Sequence, residues 1–290
     1  MDKRNATLTR ARKEKNDEFY TRKKDIENEL IHYYSHLKDK IVYCNCDDYR
    51  KSKFVEYFME NFEKIGLKKL ISTGFSKDGQ GTYSEYDGTV FKTGFLSGNG
   101  DALGEECTEI LKQADVVVTN PPFSLFRKYV SHLMKYGKKF LIIGNKNAIT
   151  YKEIFPYIKD NELWLGITNP DEYRLPNGEI TQSVKGLCRW FTNIPHNRRN
   201  TEFDLYKKYS ADEYPKYDNY DTINVDKTTD IPMDYEGVMG VPITFLDKYC
   251  PTQFEILGIA NNVRWIGDFP CLTIIKGEKV YNRILIRRKK

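Results

Sequence analysis

From Ile41 to about Gly166 the chain alternates short apolar runs with amphipathic stretches. Lys40–Cys46 (KIVYCNC) predicts a buried strand. Ser52–Ile65 follows with apolar residues near helical spacing, Ser52 placed to cap its start and Gly66 to stop it. Leu70–Ser72, Ala114–Thr119, Phe140–Ile143 and Leu163–Ile167 predict further strands, and Leu125–Tyr136 a helix. Tyr151–Ile158 keeps helical spacing despite Pro156. Strands separated by such helices imply crossover connections, and hence a parallel, doubly wound α/β sheet. Ligands of such sheets bind beyond the carboxyl ends of the strands, which directs attention to the residues just after each run.

Beyond Thr168 the rhythm is lost. Residues 168–235 are rich in Asn, Asp, Pro and Tyr, with six Tyr between 196 and 235. Thr73–Gly100 holds seven Gly, as a long hairpin or loop between sheet elements does. Leu187–Phe191 and Tyr281–Ile286 are strand-like and fit antiparallel additions. No apolar run approaches the roughly 20 residues that cross a membrane. The basic N-terminus has no apolar stretch behind it, so a cytoplasmic protein with no membrane contact is expected.

Composition narrows this only slightly. With 40% hydrophobic and 30% charged residues in 290, the chain can close a core, and collagen-like or low-complexity classes are excluded. The six Cys are too sparse for a disulfide scaffold. Cys44 and Cys46 are spaced too closely for a zinc knuckle, so no metal is expected. The net charge of +5 hides basic ends, +4 over residues 1–15 and +6 over residues 276–290, on an acidic body. Such ends suit a polyanion such as nucleic acid, and serve equally as solvated tails.

Asn120-Pro121-Pro122-Phe123 directly follows the strand ADVVVT and precedes a helix. Two prolines fix the backbone and remove two N–H donors. What remains is a stiff turn presenting carbonyl oxygens, an Asn amide and an aromatic ring. That corner suits a planar molecule bearing an NH2 group. The Asn120 oxygen and the Pro121 carbonyl accept its two hydrogens while Phe123 stacks on its face. Accepting both draws the nitrogen towards tetrahedral geometry and localises its lone pair for attack on an electrophilic carbon. Turn chemistry offers a plainer use of the same residues, a tight connection with Phe123 filling core.

Strand-Asn-Pro-Pro-Phe-helix resembles the catalytic motif of amino-group methyltransferases that use S-adenosylmethionine. Asn16–Thr21 (NDEFYT) resembles the segment that folds over the methionine end of the cofactor in adenine methyltransferases, and Ile41–Asp48 (IVYCNCDD) holds the place of the first cofactor motif. With NKNAIT at 145–150 and the block 216–258, these resemble the EcoRI-type adenine-specific DNA methyltransferase family over about residues 13–288. The resemblance implies a Rossmann-like methyltransferase sheet with a loop-rich, partly antiparallel C-terminal part. It also implies a site-specific DNA adenine N6-methyltransferase that uses S-adenosylmethionine, binds double-stranded DNA and has a restriction endonuclease counterpart at the same site. The catalytic role then falls to Asn120, Pro121, Pro122 and Phe123. Cofactor contacts fall to Phe19, Tyr20, Thr21, Cys44, Asn45, Cys46, Asp47, Asp48 and Asp101. The usual Gly-rich turn of the first motif is replaced by Cys44–Asp48, and the second strand ends at Gly74 without the acid that commonly holds ribose hydroxyls. Asp47 or Asp48 fills that place.

Adenine N6 lies inside the duplex, so such an enzyme extrudes the base at a cost of a few kcal/mol. Phe123 becomes its stacking platform, worth roughly 1–3 kcal/mol. Donors suited to base edges and phosphates lie at Arg174, Asn177, Gln182, Lys185, Arg198, Arg199 and Asn200. The expected organisation is a basic arm over 1–15, a methyltransferase core over 16–167 and a loop-rich DNA-recognition region over 168–235. Strands over 236–290 then complete the core and end in a basic tail. The same motifs also serve an amino-group methyltransferase acting on RNA or protein glutamine, or an inactive DNA-binding protein on a methyltransferase fold.

Overall fold

The computed structural model describes residues 20–170, 173–174, 180–181, 186–260 and 273–289. The basic arm over 1–15, Phe19, Asn177, Gln182 and Lys185 lie outside the described residues. The chain divides into two units, Met1–Ala148 with Leu165–Ile194, and Ile149–Trp164 with Pro195–Lys290. This division falls elsewhere than the expected boundaries at 167 and 235.

In the first unit α1 (Lys23–Leu30) leads to β1 (Ile41–Cys44), and α2 (Lys53–Glu60) with α3 (Phe62–Ile65) connects β1 to β2 (Lys69–Gly74). A hairpin of β3 (Thr82–Tyr86) and β4 (Phe91–Phe95) follows. The chain continues through α4 (Glu105–Gln113), β5 (Val116–Thr119), α5 (Phe126–Lys135), β6 (Lys139–Asn145), β7 (Trp164–Leu165, at the boundary, with Leu165 the first residue to return to this unit) and β8 (Cys188–Thr192). These eight strands form one sheet in the order β4-β3-β2-β1-β5-β6-β8-β7. The central β2, β1, β5 and β6 are parallel, as the crossover spacing requires. The Gly-rich segment folds as the antiparallel hairpin on one side, and β8 runs antiparallel against β6 on the other. The sequence pattern misses α1 and α4, and α4 is the longest element it misses among the described residues.

Local chemistry explains the boundaries. Ser52 caps α2, its Oγ accepting from the N–H groups of Phe54 (3.1 Å) and Val55 (3.3 Å). That bond satisfies donors that would otherwise face the core, a contribution of about 1 kcal/mol. Gly66 ends α3 at φ 75°, a left-handed conformation that lets its N–H and that of Leu67 return to the Phe62 carbonyl. The apolar face of α2 buries Phe54, Val55, Tyr57 and Phe58 in the core, with Phe54 edge-on to Trp190 at 6.1 Å.

A single buried carboxylate fixes the first helix. Glu29 on α1 is fully buried and accepts from Tyr33 OH (2.8 Å), the N–H groups of Ile167 (2.8 Å) and Thr168 (2.6 Å), and Thr168 Oγ1 (2.6 Å). Gly166 makes this approach possible, because a Cβ there would lie 2.3 Å from Glu29 Oε1. Just before α1, Tyr20–Thr21 pairs antiparallel with Tyr173–Arg174, which pairs in turn with Ile180–Thr181. Segments from the two ends of this unit are thereby stitched together.

The second unit contains α6 (Phe155–Lys159) and a four-stranded sheet of β9 (Thr222–Asn224), β10 (Val238–Pro242), β11 (Phe254–Ala260) and β12 (Arg283–Arg288) in the order β9-β10-β12-β11. The C-terminal strands, expected to complete the core sheet, make this separate sheet instead. The reason lies in β12, whose consecutive Ile284, Leu285 and Ile286 are all buried and need a neighbour on each side. β10 and β11 supply them, both antiparallel. Arg283, buried at the same strand, donates to Asn224 Oδ1 (3.1 Å) and pairs with Asp226 at 3.3 Å. No helix among the described residues is long and apolar enough to cross a membrane.

Glu29→Gln keeps the volume but turns an NH2 group towards backbone N–H donors. It is expected to lower the unfolding free energy by roughly 2–4 kcal/mol. Urea unfolding followed by circular dichroism measures this, and a change below about 0.5 kcal/mol would deny the anchor any weight.

Candidate active site

The winding of the sheet locates the site. From β1 the chain moves outward to β2, then returns across to β5 on the opposite side of β1. The carboxyl ends of β1 and β5 therefore part, leaving the crevice in which such sheets bind ligands. A cavity of about 480 Å³ opens there, entirely within the first unit.

One wall is the loop after β1. Asp47 is buried, and both carboxylate oxygens are engaged. Oδ1 accepts from Ser52 Oγ (2.6 Å), the α2 cap, and Oδ2 accepts from Thr119 Oγ1 (2.5 Å), the last residue of β5. The Asp47 N–H donates to the Thr73 carbonyl on β2 (2.8 Å). Burial pushes the Asp47 carboxyl up to about 6, and the two hydroxyls offset only part of that cost. Burial likewise pushes the Cys46 thiol well above its ordinary value. Asp48 behaves oppositely. Although partial burial works against its charge, the Arg50 guanidinium and backbone N–H hold its carboxyl below the usual range.

Asn45 forms the floor. It is fully buried at the cavity, and Tyr129 OH on α5 donates to its Oδ1. At the rim, Gly74 ends β2 with the Asp48 backbone against it, where a Cβ would lie 2.7 Å from Asp48 Cα. Gly100, at φ 78°, packs equally closely on the Gly74 carbonyl and leads into Asp101. A side chain at either glycine would force these segments apart.

The facing wall is the corner after β5. Asn120 Nδ2 donates to Thr21 Oγ1 at 3.3 Å, so the segment before α1 closes over the corner. Pro121 is buried, Pro122 lines the cavity, and the Pro122 carbonyl accepts from Leu125 N (2.9 Å) as the chain turns into α5. Thr21, Asn45, Cys46, Asp47, Asp48, Asp101, Asn120 and Pro122 thus line one cavity, although they come from four separated segments.

Other residues fall elsewhere. Cys44 is buried in the core cluster, one position short of the loop. Phe123 is half-buried and packs against that same cluster, outside the cavity lining formed by the described residues. Tyr20 pairs through its backbone with Arg174. In the second unit, Arg199 lies 3.4 Å over the Trp164 ring and donates to Asn161, so it fastens that unit together. Arg198 beside it is half-buried. The sequence pattern passes over Thr119, Phe75, Lys51, Lys128 and Tyr129, which touch or frame the cavity. Of these, only Thr119 carried a signal, by directly preceding Asn120. No cluster of His, Cys, Asp or Glu able to hold a metal ion occurs among the described residues.

The family model for adenine-specific methyltransferase EcoRI matches residues 7–95 and 89–289. The chain is 47% identical to Type II methyltransferase M.EcoRI of Escherichia coli, over 99% of this chain and 98% of the relative. It is 38% identical to Type II methyltransferase M.MgeORF184P of Mycoplasma genitalium, over 97% and 98% of the two chains. With Type II methyltransferase M.MpnI of Mycoplasma pneumoniae the identity is 36%, over the same shares. No solved structure matches.

The Asp47 geometry has a pH signature. A carboxyl raised by burial gives stability that is complete below its unfolded value and lost as pH rises through about 6. Relative to Asp47→Asn, the ligand-free wild type is expected to lose roughly 2 kcal/mol of unfolding free energy between pH 4 and pH 7. Urea titrations across that range measure the difference, and a constant gap would contradict it.

Proposed function

The chain belongs to the EcoRI family of adenine-specific methyltransferases, and from that premise we propose that it moves a methyl group from S-adenosylmethionine to N6 of an adenine turned out of duplex DNA. The observation that carries this is the convergence of Thr21, Asn45–Asp48, Asp101 and Asn120 on one cavity at the switch point of the sheet.

The residues present fit the cofactor. The cavity volume of about 480 Å³ lies in the range of small-molecule sites. Asn45 Nδ2 is buried with no hydrogen-bond partner among the described residues, a donor suited to an acceptor oxygen of the ligand. Asp48, rather than Asp47, is assigned the ribose hydroxyls. Both Asp47 oxygens are held by Ser52 and Thr119, whereas Gly74 lets Asp48 close over the end of β2. Phe75, largely exposed on the cavity wall just after β2, offers a flat face for the cofactor adenine. When bound, S-adenosylmethionine supplies an electrophilic sulfonium methyl.

The protein's part is orientation. Thr21 fixes the plane of the Asn120 amide. The Asn120 oxygen and Pro121 carbonyl then accept the two hydrogens of the adenine amine and aim its lone pair at the methyl carbon. Phe123, braced by the core, gives the extruded base a rigid face. Arg174, Gln182, Lys185 and Arg198 are proposed to contact DNA, with Arg287, Arg288 and Lys289 on phosphates. The Arg199 guanidinium is engaged on Trp164 and contributes through the shape of its unit. The relatives are named Type II methyltransferases, and a restriction endonuclease sharing the recognition site is proposed as this chain's counterpart.

Incubation of unmethylated plasmid with tritiated cofactor, followed by nucleoside analysis, is expected to place label in N6-methyladenine. Label in cytosine, or none, would overturn the assignment. Asn120→Ala is expected to slow transfer by about 10²–10³-fold while the Kd for S-adenosylhomocysteine, measured by calorimetry, stays within about three-fold. Wild-type rates in that variant would remove Asn120 from its role.

A further inference from the structure

Where the site opens, backbone pairing between its two walls has already ended. β1 pairs with β5 only at Val42–Val116 and Tyr43–Val117. Beyond that, Val118 and Thr119 pair outward with Leu141 and Ile142 of β6. The loop that faces the cofactor and the corner that faces the acceptor are thus not held in register by the β1–β5 ladder. Side chains join them instead, Tyr129 OH to Asn45 Oδ1 and, next to the corner itself, Thr119 Oγ1 to Asp47 Oδ2 at 2.5 Å, buried at both ends.

We propose that Asp47 is a positioning residue, which sets the distance between the cofactor loop and the Asn120 corner through its bond to Thr119. The other contacts of Asp47 make it rigid enough to do so. Its second oxygen is held by Ser52, whose hydroxyl is itself held by the N–H groups of Phe54 and Val55 in the first turn of α2. Its own N–H is held by the Thr73 carbonyl of β2. One carboxylate therefore gathers β2, α2 and β5 at a single point. Thr119 transmits that position to Asn120 through one peptide bond. Transfer to an sp³ carbon demands tight alignment, and a displacement of about 1 Å can cost about 10²-fold in rate. Both Asp47 oxygens are engaged by protein hydroxyls, so loss of the bond is read in the rate of the chemical step rather than in cofactor affinity.

This rests on the methyltransferase assignment above, and the test separates the two. In single-turnover transfer of tritiated methyl to a DNA duplex that the wild type modifies, Thr119→Val is expected to slow the chemical step about 10–100-fold. The calorimetric Kd for S-adenosylhomocysteine is expected to stay within about three-fold, and Thr119→Ser to restore the rate to within about three-fold of wild type. Asp47→Ala should slow the same step, and the double variant should be no slower than the worse single one, because both remove one bond. A folded Thr119→Val that transfers at the wild-type rate overturns the positioning role. If that variant does not fold, full transfer by Asp47→Ala overturns it instead. Absence of transfer by the wild type would fault the assignment of function rather than this bond.

Discussion

A sheet wound in both directions from one strand must let its strands part where the winding reverses, and most of the site follows from how that parting is closed. At β1 and β5 the ladder stops at Tyr43–Val117. Past that point the chain still carries polar groups, but they are buried among the ends of β1, β2 and β5, where water is not at hand to satisfy them. Side chains therefore do the work that the ladder does elsewhere. Asp47 answers Ser52 and Thr119, Asn45 answers Tyr129, and Asn120 answers Thr21. In a low-dielectric crevice such bonds are strong when complete and costly when one partner is lost. The site is rigid because its polar groups have few alternatives.

The same scarcity of water separates the two acids of the loop. Asp47 is enclosed, and its charge is disfavoured despite two hydroxyl donors. Its neighbour Asp48 lies nearer solvent beside Arg50 and keeps its charge easily. One position apart, the first is suited to holding protein and the second to meeting a ligand. The glycines at the rim make the arrangement possible. Gly74 and Gly100 leave room for backbone where most strands carry a side chain, and the Asp48 backbone occupies that room at the end of β2.

Much of this was legible in the sequence, and for identifiable reasons. The run VVVT is buried at all four positions, and an apolar run ending in Asn-Pro-Pro has few other uses than a strand and a stiff turn. Ser52 and Gly66 marked helix ends through chemistry confined to a few residues. Elements that depend on distant partners were not legible. β10, β11 and β12 read as strands of any sheet, and only mutual pairing sets them apart from the core. α4 was hidden behind a Gly-rich segment whose hairpin dominates the pattern. Arg199 looked like a surface donor because an Arg that stacks on Trp164 differs in no local way from one that faces a phosphate. Thr119 passed as strand filler, since a hydroxyl reveals its use only when its acceptor, 72 positions away, is known.

Glu29 carries a consequence for the order in which the molecule is made. Its helix leaves the ribosome early, but three of the four donors that satisfy its carboxylate stand 138 and 139 positions later. Until Ile167 and Thr168 emerge, the nascent helix presents an apolar face whose central acid has Tyr33 but lacks its three later donors. Thr21, which steadies Asn120, lies just ahead of that helix. The roof of the crevice is consequently among the first segments synthesised and among the last to settle. A product terminated before residue 165 would hold every strand of the parallel centre and still lack a closed pocket.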